Sequence, residues 1–135
     1  MLSLAAAGAS RFLVPNSPDI GLVPAVTAAG PQAAFLATTL SAKFNSALAL
    51  ALGALGAIPG IDITGMDVFG LMNAMVADPA AAGFSNVTDA CVTPGVTSGA
   101  FCKRPGDYLF WDGIHPTRSG HHLFAVEALR VLGAE

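Results

Sequence analysis

A strand–helix–strand unit near the N-terminus is the feature that most limits the folds open to this chain. Arg11–Val14 is a short apolar run ended by Pro15, a pattern that predicts a buried strand. Apolar residues then recur at helical spacing over Pro31–Gly53, and a proline suits the first turn of a helix. Ile61–Ile63 reads as a minimal second strand. Two short strands joined by a helix predict a parallel pair with the helix on one face.

The same alternation continues to the C-terminus. Asp67–Ala77 predicts a second helix, Ala80–Pro105 a long loop, and Tyr108–Trp111 a short strand. A final helix opens at Pro116 or Thr117. The chain is therefore predicted to be α/β, with a parallel sheet and helices on its faces. The residues expected to face inward are Leu36, Leu40, Phe44, Ala47, Leu48, Ala51 and Leu55 in the long helix, Phe69, Met72, Met75 and Val76 in the second, and Leu123, Val126, Leu129 and Val131 or Leu132 in the last.

Size and composition narrow the class of protein further. The 135 residues suffice for one domain, 1–135, but 53% are hydrophobic and only 11% are charged. That balance suits buried helices, and it equally suits half of a larger fold that exposes a broken interface. The net charge is −3 and no basic run is present, so nucleic-acid binding is not expected.

The sequence predicts neither a membrane-spanning segment nor a signal peptide. The most apolar stretch, Ala47–Ile58, is interrupted by glycines and is too short to span a bilayer, so we expect no stable membrane insertion. Residues 1–9 lack a basic segment ahead of their apolar run, so no signal peptide is expected in this chain.

The segment WDGIHPTRSG, residues 111–120, carries the strongest chemical signal. Asp112 and His115 stand three apart in a turn with glycine and proline. An aspartate so placed can accept a hydrogen bond from one ring nitrogen, fix the tautomer and leave the other nitrogen to act as a base. The plainer interpretation is a structural histidine beside a turn or capping aspartate. A metal site that adds His121 and His122 is not expected, because adjacent helical residues point about 100° apart.

Two stretches resemble one known family. YLFWDGIHPTRSGH, residues 108–121, resembles the last conserved block of the SGNH (GDSL-type) ester hydrolases, and RFLVPNSPDIGLVP, residues 11–24, resembles the central strand and following loop of their secreted bacterial lipase/esterase branch. The resemblance covers Arg11–Leu132. It implies a flavodoxin-like three-layer αβα fold with Asp112 as the acid and His115 as the base. It also makes Asn16 a candidate substrate contact, with a purely structural turn residue as the alternative. Trp111 could line an acyl pocket or could instead pack in the core.

The family's other motifs are missing from this sequence. The family nucleophile lies in a Gly-Asp-Ser motif, and a side-chain oxyanion donor lies in Gly-x-Asn-Asp; neither motif occurs here. We therefore expect a single unit, 1–135, that corresponds to the C-terminal portion of an SGNH domain, with an incomplete sheet.

Cys91 and Cys102 flank a loop rich in proline, glycine, threonine and serine. They are either two unrelated thiols or a disulfide that fits an exported protein. The resemblance to secreted enzymes favours the disulfide, and it places the full-length relative outside the cell or in the envelope. A zinc site is not expected, because no second Cys or His pair has suitable spacing.

Three functions remain open on the sequence. The first is a cofactor-free carboxylic ester hydrolase acting on a small ester or lipid, in which this chain supplies the Asp–His part of a serine triad and an N-terminal half is missing. The second is a non-catalytic interaction protein, or truncated pseudoenzyme, that self-associates as a homo-oligomer. The third is an unrelated hydrolase that pairs His115 with another nucleophile, Ser17 or Ser119.

Overall fold

The computed structural model describes residues 1–93, 95 and 101–134, and it has an α/β fold. The predicted loop Ala80–Pro105 lies partly outside these residues. Two 3₁₀ turns occur, at Ile20–Leu22 and Pro105–Asp107. The helices are α1 (Leu2–Ala6), α2 (Pro24–Thr27), α3 (Pro31–Gly56), α4 (Val68–Ala77) and α5 (Arg118–Val131), and the strands are β1 (Arg11–Pro15), β2 (Asp62–Met66), β3 (Asn86–Ala90) and β4 (Tyr108–Phe110).

The four strands of the described residues form two parallel pairs. In the first pair β1 lies beside β2, with Arg11 opposite Asp62 and Pro15 opposite Met66. Because the carboxyl end of β1 must return to the start of β2, the long helix α3 forms the crossover between them. In the second pair β3 lies beside β4. The predicted α/β class with parallel strands is confirmed, as two two-stranded sheets in an incomplete three-layer arrangement.

The prediction of unbroken loop over Ala80–Pro105 is wrong for the part that forms β3. Only Val87 of this strand is buried, so the two-residue alternation that reveals a half-buried strand is missing. The segment after β1 is also more ordered than a loop, since it holds the 3₁₀ turn Ile20–Leu22 and the start of α2. Gly21 of this turn lies so close to α3 that an added Cβ would stand 2.4 Å from the Ala34 carbonyl oxygen.

The hydrophobic core lies between the β3–β4 pair, α4 and the segment that enters α2. Met72 and Met75 are 3% and 2% exposed, which confirms the predicted inward face of α4 at these positions. Leu109 and Phe110 of β4 are the most deeply buried large side chains, at 1% and 0%. The core cluster consists of Val23, Met72, Met75, Phe84, Val87, Leu109 and Phe110. The strand that leads into residues 111–120 is therefore anchored at the centre of the core.

The helix α3 presents its large apolar side chains to the outside. Leu36, Leu40 and Phe44 are 57%, 54% and 58% exposed, although their spacing predicts an inward stripe. The side that packs is small and polar instead, and Ser41 is its one buried residue among those described. The inward prediction is therefore wrong for this stripe, because α3 is apolar on more than one side. In α5 it is likewise wrong for Val126 and Leu129, which are exposed.

By length and composition, α3 could also cross a membrane. It has 26 residues with a mean hydropathy of 1.3 in its most apolar window, 11% of which is buried in this structure. The stretch Ala47–Ile58 is too short to span a bilayer, but the complete helix α3 is long enough. The absence of stable membrane insertion stays a prediction.

Candidate active site

Asp112 and His115 contact each other directly. The Nδ1 atom of His115 lies 2.8 Å from Oδ2 and 3.0 Å from Oδ1 of Asp112. With Nδ1 protonated, the ring donates to the carboxylate, and Nε2 then carries the lone pair. The His115 side chain is 66% exposed and that of Asp112 only 26%. The pair therefore consists of a carboxylate set into the turn and an imidazole that solvent or a substrate can reach.

The Asp112 carboxylate is also fixed by the backbone of its own turn. Its Oδ1 accepts hydrogen bonds from the backbone N–H of His115 at 2.7 Å and of Ile114 at 2.9 Å. The pKa of Asp112 is lowered from 3.8 to about 2, mainly by these two donors, the His115 N–H first; the His115 side chain contributes to this shift, and partial burial opposes it. Asp112 is therefore ionised at neutral pH and held in one orientation.

The turn is closed at its base by the strand and the helix on either side. The backbone N–H of Trp111 donates to the carbonyl of His115 at 2.8 Å. Thr117, buried at 3% exposure, donates from Oγ1 to the carbonyl of Tyr108 at 2.7 Å and accepts from the Gly120 N–H at 3.2 Å. Thr117 is thus the N-cap of α5 and also joins that helix to β4. This arrangement fixes where His115 stands relative to the core.

A second segment supports the turn from its side. The backbone N–H of Ala25 in α2 donates to the carbonyl of Gly113 at 2.9 Å, and a Cβ on Gly113 would stand 3.2 Å from the Ala25 Cβ. No local sequence pattern predicts this contact, because it joins residues far apart in the chain. The segment between β1 and α2 is anchored by Asp19, which is 2% exposed. Its carboxylate accepts hydrogen bonds from Gly21 N, Thr38 Oγ1 and Asn73 Nδ2.

The two candidate substrate contacts occupy different environments. Asn16, directly after β1, donates from Nδ2 to Asp67 at 2.7 Å and accepts at Oδ1 from the backbone N–H of Phe69 at 2.9 Å. Both ends of its amide are therefore engaged in joining β1 to α4. Trp111 is 38% exposed, lies 6.0 Å from the ring of Phe101, and lines an open cleft. Substrate contact stays a prediction for both residues.

The alternative nucleophiles have no such arrangement in the described ranges. Ser17 Oγ donates to the carbonyl of Pro18, and the described residues show no hydrogen bond from Ser17 or Ser119 to His115. Cys91 and Cys102 are joined in a disulfide, with their Cα atoms 4.8 Å apart. Within residues 1–93, 95 and 101–134, no three His, Cys, Asp or Glu side chains group as metal ligands would.

The α/β fold with parallel strands is consistent with the family to which the sequence is similar. The family model described as GDSL-like lipase/acylhydrolase matches residues 1–128. The chain belongs to the GDSL-like lipase/acylhydrolase family. As a member of that family it carries a domain whose relatives include named esterases and lipases.

Plant proteins are among the most similar relatives of this GDSL-family chain. The chain is 33% identical over 132 residues to the anther-specific proline-rich protein APG of Arabidopsis thaliana, an alignment that covers 90% of this chain and 25% of that protein. It is 30% identical over 130 residues to a GDSL esterase/lipase of the same plant, with 95% of this chain and 37% of the relative covered. It is 30% identical over 134 residues to the APG protein of Brassica napus, with 91% of this chain and 30% of that protein covered. The chain thus spans less than two fifths of the length of these relatives.

Proposed function

We propose that this chain supplies the acid and the base of the catalytic triad in a carboxylic ester hydrolase of the GDSL type. The observation that carries the proposal is the 2.8 Å contact between His115 Nδ1 and Asp112 Oδ2, on a carboxylate that two backbone N–H groups already orient. This contact leaves His115 Nε2 as the base. The 66% exposure of the His115 side chain lets a serine hydroxyl approach it.

The reaction follows from these roles. As a serine Oγ attacks the ester carbonyl carbon, Nε2 of His115 takes the hydroxyl proton, and Asp112 stabilises the imidazolium that forms. The tetrahedral intermediate collapses, the bond between the carbonyl carbon and the alkoxy oxygen breaks, and His115 gives the proton to the leaving alcohol. Water, deprotonated by the same histidine, then attacks the acyl-serine; the bond from the acyl carbon to serine Oγ breaks, His115 returns the proton to Oγ, and the acid is released. These steps require no metal or organic cofactor.

The serine and the side-chain oxyanion donor are proposed to lie on a part of the enzyme outside residues 1–135. The sequence holds neither Gly-Asp-Ser nor Gly-x-Asn-Asp, and relatives such as the Arabidopsis esterase/lipase are much longer than the matched region. The unit 1–135 is then the C-terminal portion of a GDSL domain. The substrate is a small ester or a lipid.

We place the complete enzyme outside the cytoplasm. The disulfide between Cys91 and Cys102 supports this proposal, because disulfides persist mainly in oxidising compartments. The assignment to the secreted bacterial branch stays a prediction, since the relatives described above are plant proteins.

The test is hydrolysis of p-nitrophenyl butyrate by the purified chain, alone and mixed with a separately expressed serine-bearing N-terminal segment of a GDSL esterase. We expect no activity from the chain alone and activity from the mixture that a fluorophosphonate abolishes. A folded and demonstrably associated mixture without activity would contradict the proposal. Fluorophosphonate-sensitive activity from the chain alone would point to a nucleophile within it, which mass spectrometry of the adduct would locate.

A second candidate function is self-association without catalysis, and the exposed stripe Leu36, Leu40 and Phe44 is the observation that favours it. Sedimentation analysis of the wild-type chain beside a Leu40→Gln/Phe44→Gln variant tests it. A stable dimer that these substitutions dissociate supports this function, whereas a monomeric wild-type chain contradicts it.

A further inference from the structure

An open cleft lies beside the catalytic turn, on the side of α5 that faces the Ala82–Phe84 segment. Its volume is about 780 Å³. Phe84, Trp111 and Leu123 give it apolar walls, and Phe84 is itself part of the hydrophobic core. A cleft of this size and shape can take a small organic molecule with an aromatic or branched body.

Arg118, Ser119 and His122 give the cleft polar side chains along the first turns of α5. Thr117 also lines it, but its hydroxyl already donates to the Tyr108 carbonyl. None of the lining residues that the structure describes is Asp or Glu. This local character contrasts with the whole chain, whose net charge is −3. The lining therefore favours an anionic group over a cationic one.

Arg118 has no carboxylate partner in the described part of the chain, unlike two other arginines. Arg104 pairs with Asp107 at 2.8 Å, and Arg130, at the far end of the same helix as Arg118, pairs with Glu127 at 2.6 Å. A guanidinium offers a planar pair of N–H donors that matches a carboxylate. Beside the ring of Trp111, it can hold the charged end of a ligand whose body rests on the apolar wall.

We propose that this cleft is a binding site for a small carboxylate with an aromatic or branched apolar body, held by Arg118 and packed against Trp111. Trp111 and Thr117, which both line the cleft, flank the turn that carries Asp112 and His115. A ligand in the cleft would therefore lie beside that turn. Carboxylic acids are also the acid products of ester hydrolysis, but the site does not depend on the proposed catalysis and would bind its ligand in an inactive chain.

Trp111 is the single tryptophan of the chain, so its fluorescence reports on the cleft. The experiment titrates the full chain with 3-phenylpropanoate and, as a neutral match, with 3-phenylpropanamide. We expect saturable binding of the carboxylate and at least about threefold weaker binding of the amide, as for a partly exposed ion pair. Saturation-transfer NMR of the ligand repeats the comparison without relying on the indole signal.

Arg118→Gln and Arg130→Gln are the matched variants. Arg118→Gln is expected to weaken carboxylate binding about threefold to fivefold and to leave amide binding unchanged. Arg130→Gln should bind both compounds like the wild type, because its side chain lies at the other end of α5. The proposal is overturned by absence of saturable binding in both methods, by equal affinity for acid and amide, or by equal effects of the two substitutions. None of these results depends on whether the chain hydrolyses esters.

Discussion

The turn that carries Asp112 and His115 is fixed by several contacts with the rest of the fold, whereas most residues of the long helix α3 are exposed. The turn follows a strand buried at 1% and 0% exposure, and hydrogen bonds close it from within, from β4 and from α2. The helix α3 contributes one buried residue, Ser41, and exposes a stripe of large apolar side chains. The Asp112–His115 contact is therefore formed in a chain whose longest helix lacks contacts from the described residues on its most apolar side.

The geometry of the turn is determined by contacts within this chain, whereas the exposure of the α3 side chains depends on whether another surface covers them. The Asp112–His115 pair depends on its own turn, the cap of α5, the contact with α2 and the buried strand beneath it. The side chains of α3 need a partner surface to leave water, and burying them would stabilise the fold by about 25 cal/mol per Å² of apolar area. We infer that the turn keeps its geometry whether or not α3 is covered.

Loss of the imidazole gives the largest expected effect. In the mixture with a serine-bearing N-terminal segment, His115→Ala should lower kcat/KM for p-nitrophenyl butyrate by roughly a thousandfold or more, because it removes the base. His121→Ala, an exposed histidine on α5, is the matched control and should stay near wild type. Similar losses in the two variants would place the role of His115 in the fold rather than in catalysis.

Replacing a leucine by alanine should lower the free energy of unfolding much more beneath the turn than in α3. Leu109→Ala leaves a cavity beneath the turn and should lower the free energy of unfolding by about 2–5 kcal/mol. Leu40→Ala, at a position 54% exposed, should change it by less than about 0.5 kcal/mol. Urea unfolding of both variants makes the comparison. A cost at Leu40 above about 1.5 kcal/mol would show that the α3 stripe is covered in solution.

Glycine-to-alanine substitutions should lower stability beside the turn and raise it in α3. A Cβ on Gly120 would stand 3.0 Å from Pro116 Cβ and 3.2 Å from the Leu109 carbonyl oxygen, so Gly120→Ala should destabilise the chain by about 1–3 kcal/mol. Gly53 in α3 has nothing within 4 Å, and alanine there should stabilise the helix by about 0.5–1 kcal/mol. Thermal unfolding measures both, and a destabilising Gly53→Ala would contradict the open surroundings of α3.

The pH dependence of stability should show the smallest effect, because the Asp112 side chain keeps 26% of its surface exposed. Its pKa in the fold is lowered from 3.8 to about 2. A lowered carboxyl pKa stabilises the folded state above the unfolded pKa, and this contribution disappears as the pH falls from about 4 toward 2. Asp112→Asn should flatten the stability curve in that window. An unchanged curve would mean that the carboxylate is not held as described.

The sequence allowed good prediction where a signal is local. The proline at the start of α3, the threonine that caps α5 and the alternation of short strands with helices all correspond to observed elements. The spacing of Asp112 and His115 predicted a contact that the structure shows at 2.8 Å. The two helix starts and the Asp112–His115 contact each depend on residues within about one helical turn of each other.

Prediction failed where the answer depends on distant partners. The strand β3 was missed because its pairing with Tyr108–Phe110, rather than its own alternation, makes it a strand. The contact of Ala25 with Gly113 joins segments that no local pattern relates. The exposed stripe of α3 could not be distinguished from the packed side by periodicity, because both sides carry apolar or small residues.

The most direct test of the central claim is the tautomer of His115, measured by ¹⁵N NMR of the histidine ring nitrogens at a pH where the ring is neutral. The account predicts the Nδ1–H tautomer in the wild-type chain, with Nε2 free as the base, and loss of that preference in Asp112→Asn. His121 and His122 provide internal references in the same spectrum. A wild-type His115 that carries its proton on Nε2, or that does not respond to Asp112→Asn, would contradict the assignment of this pair as the acid and base of a triad.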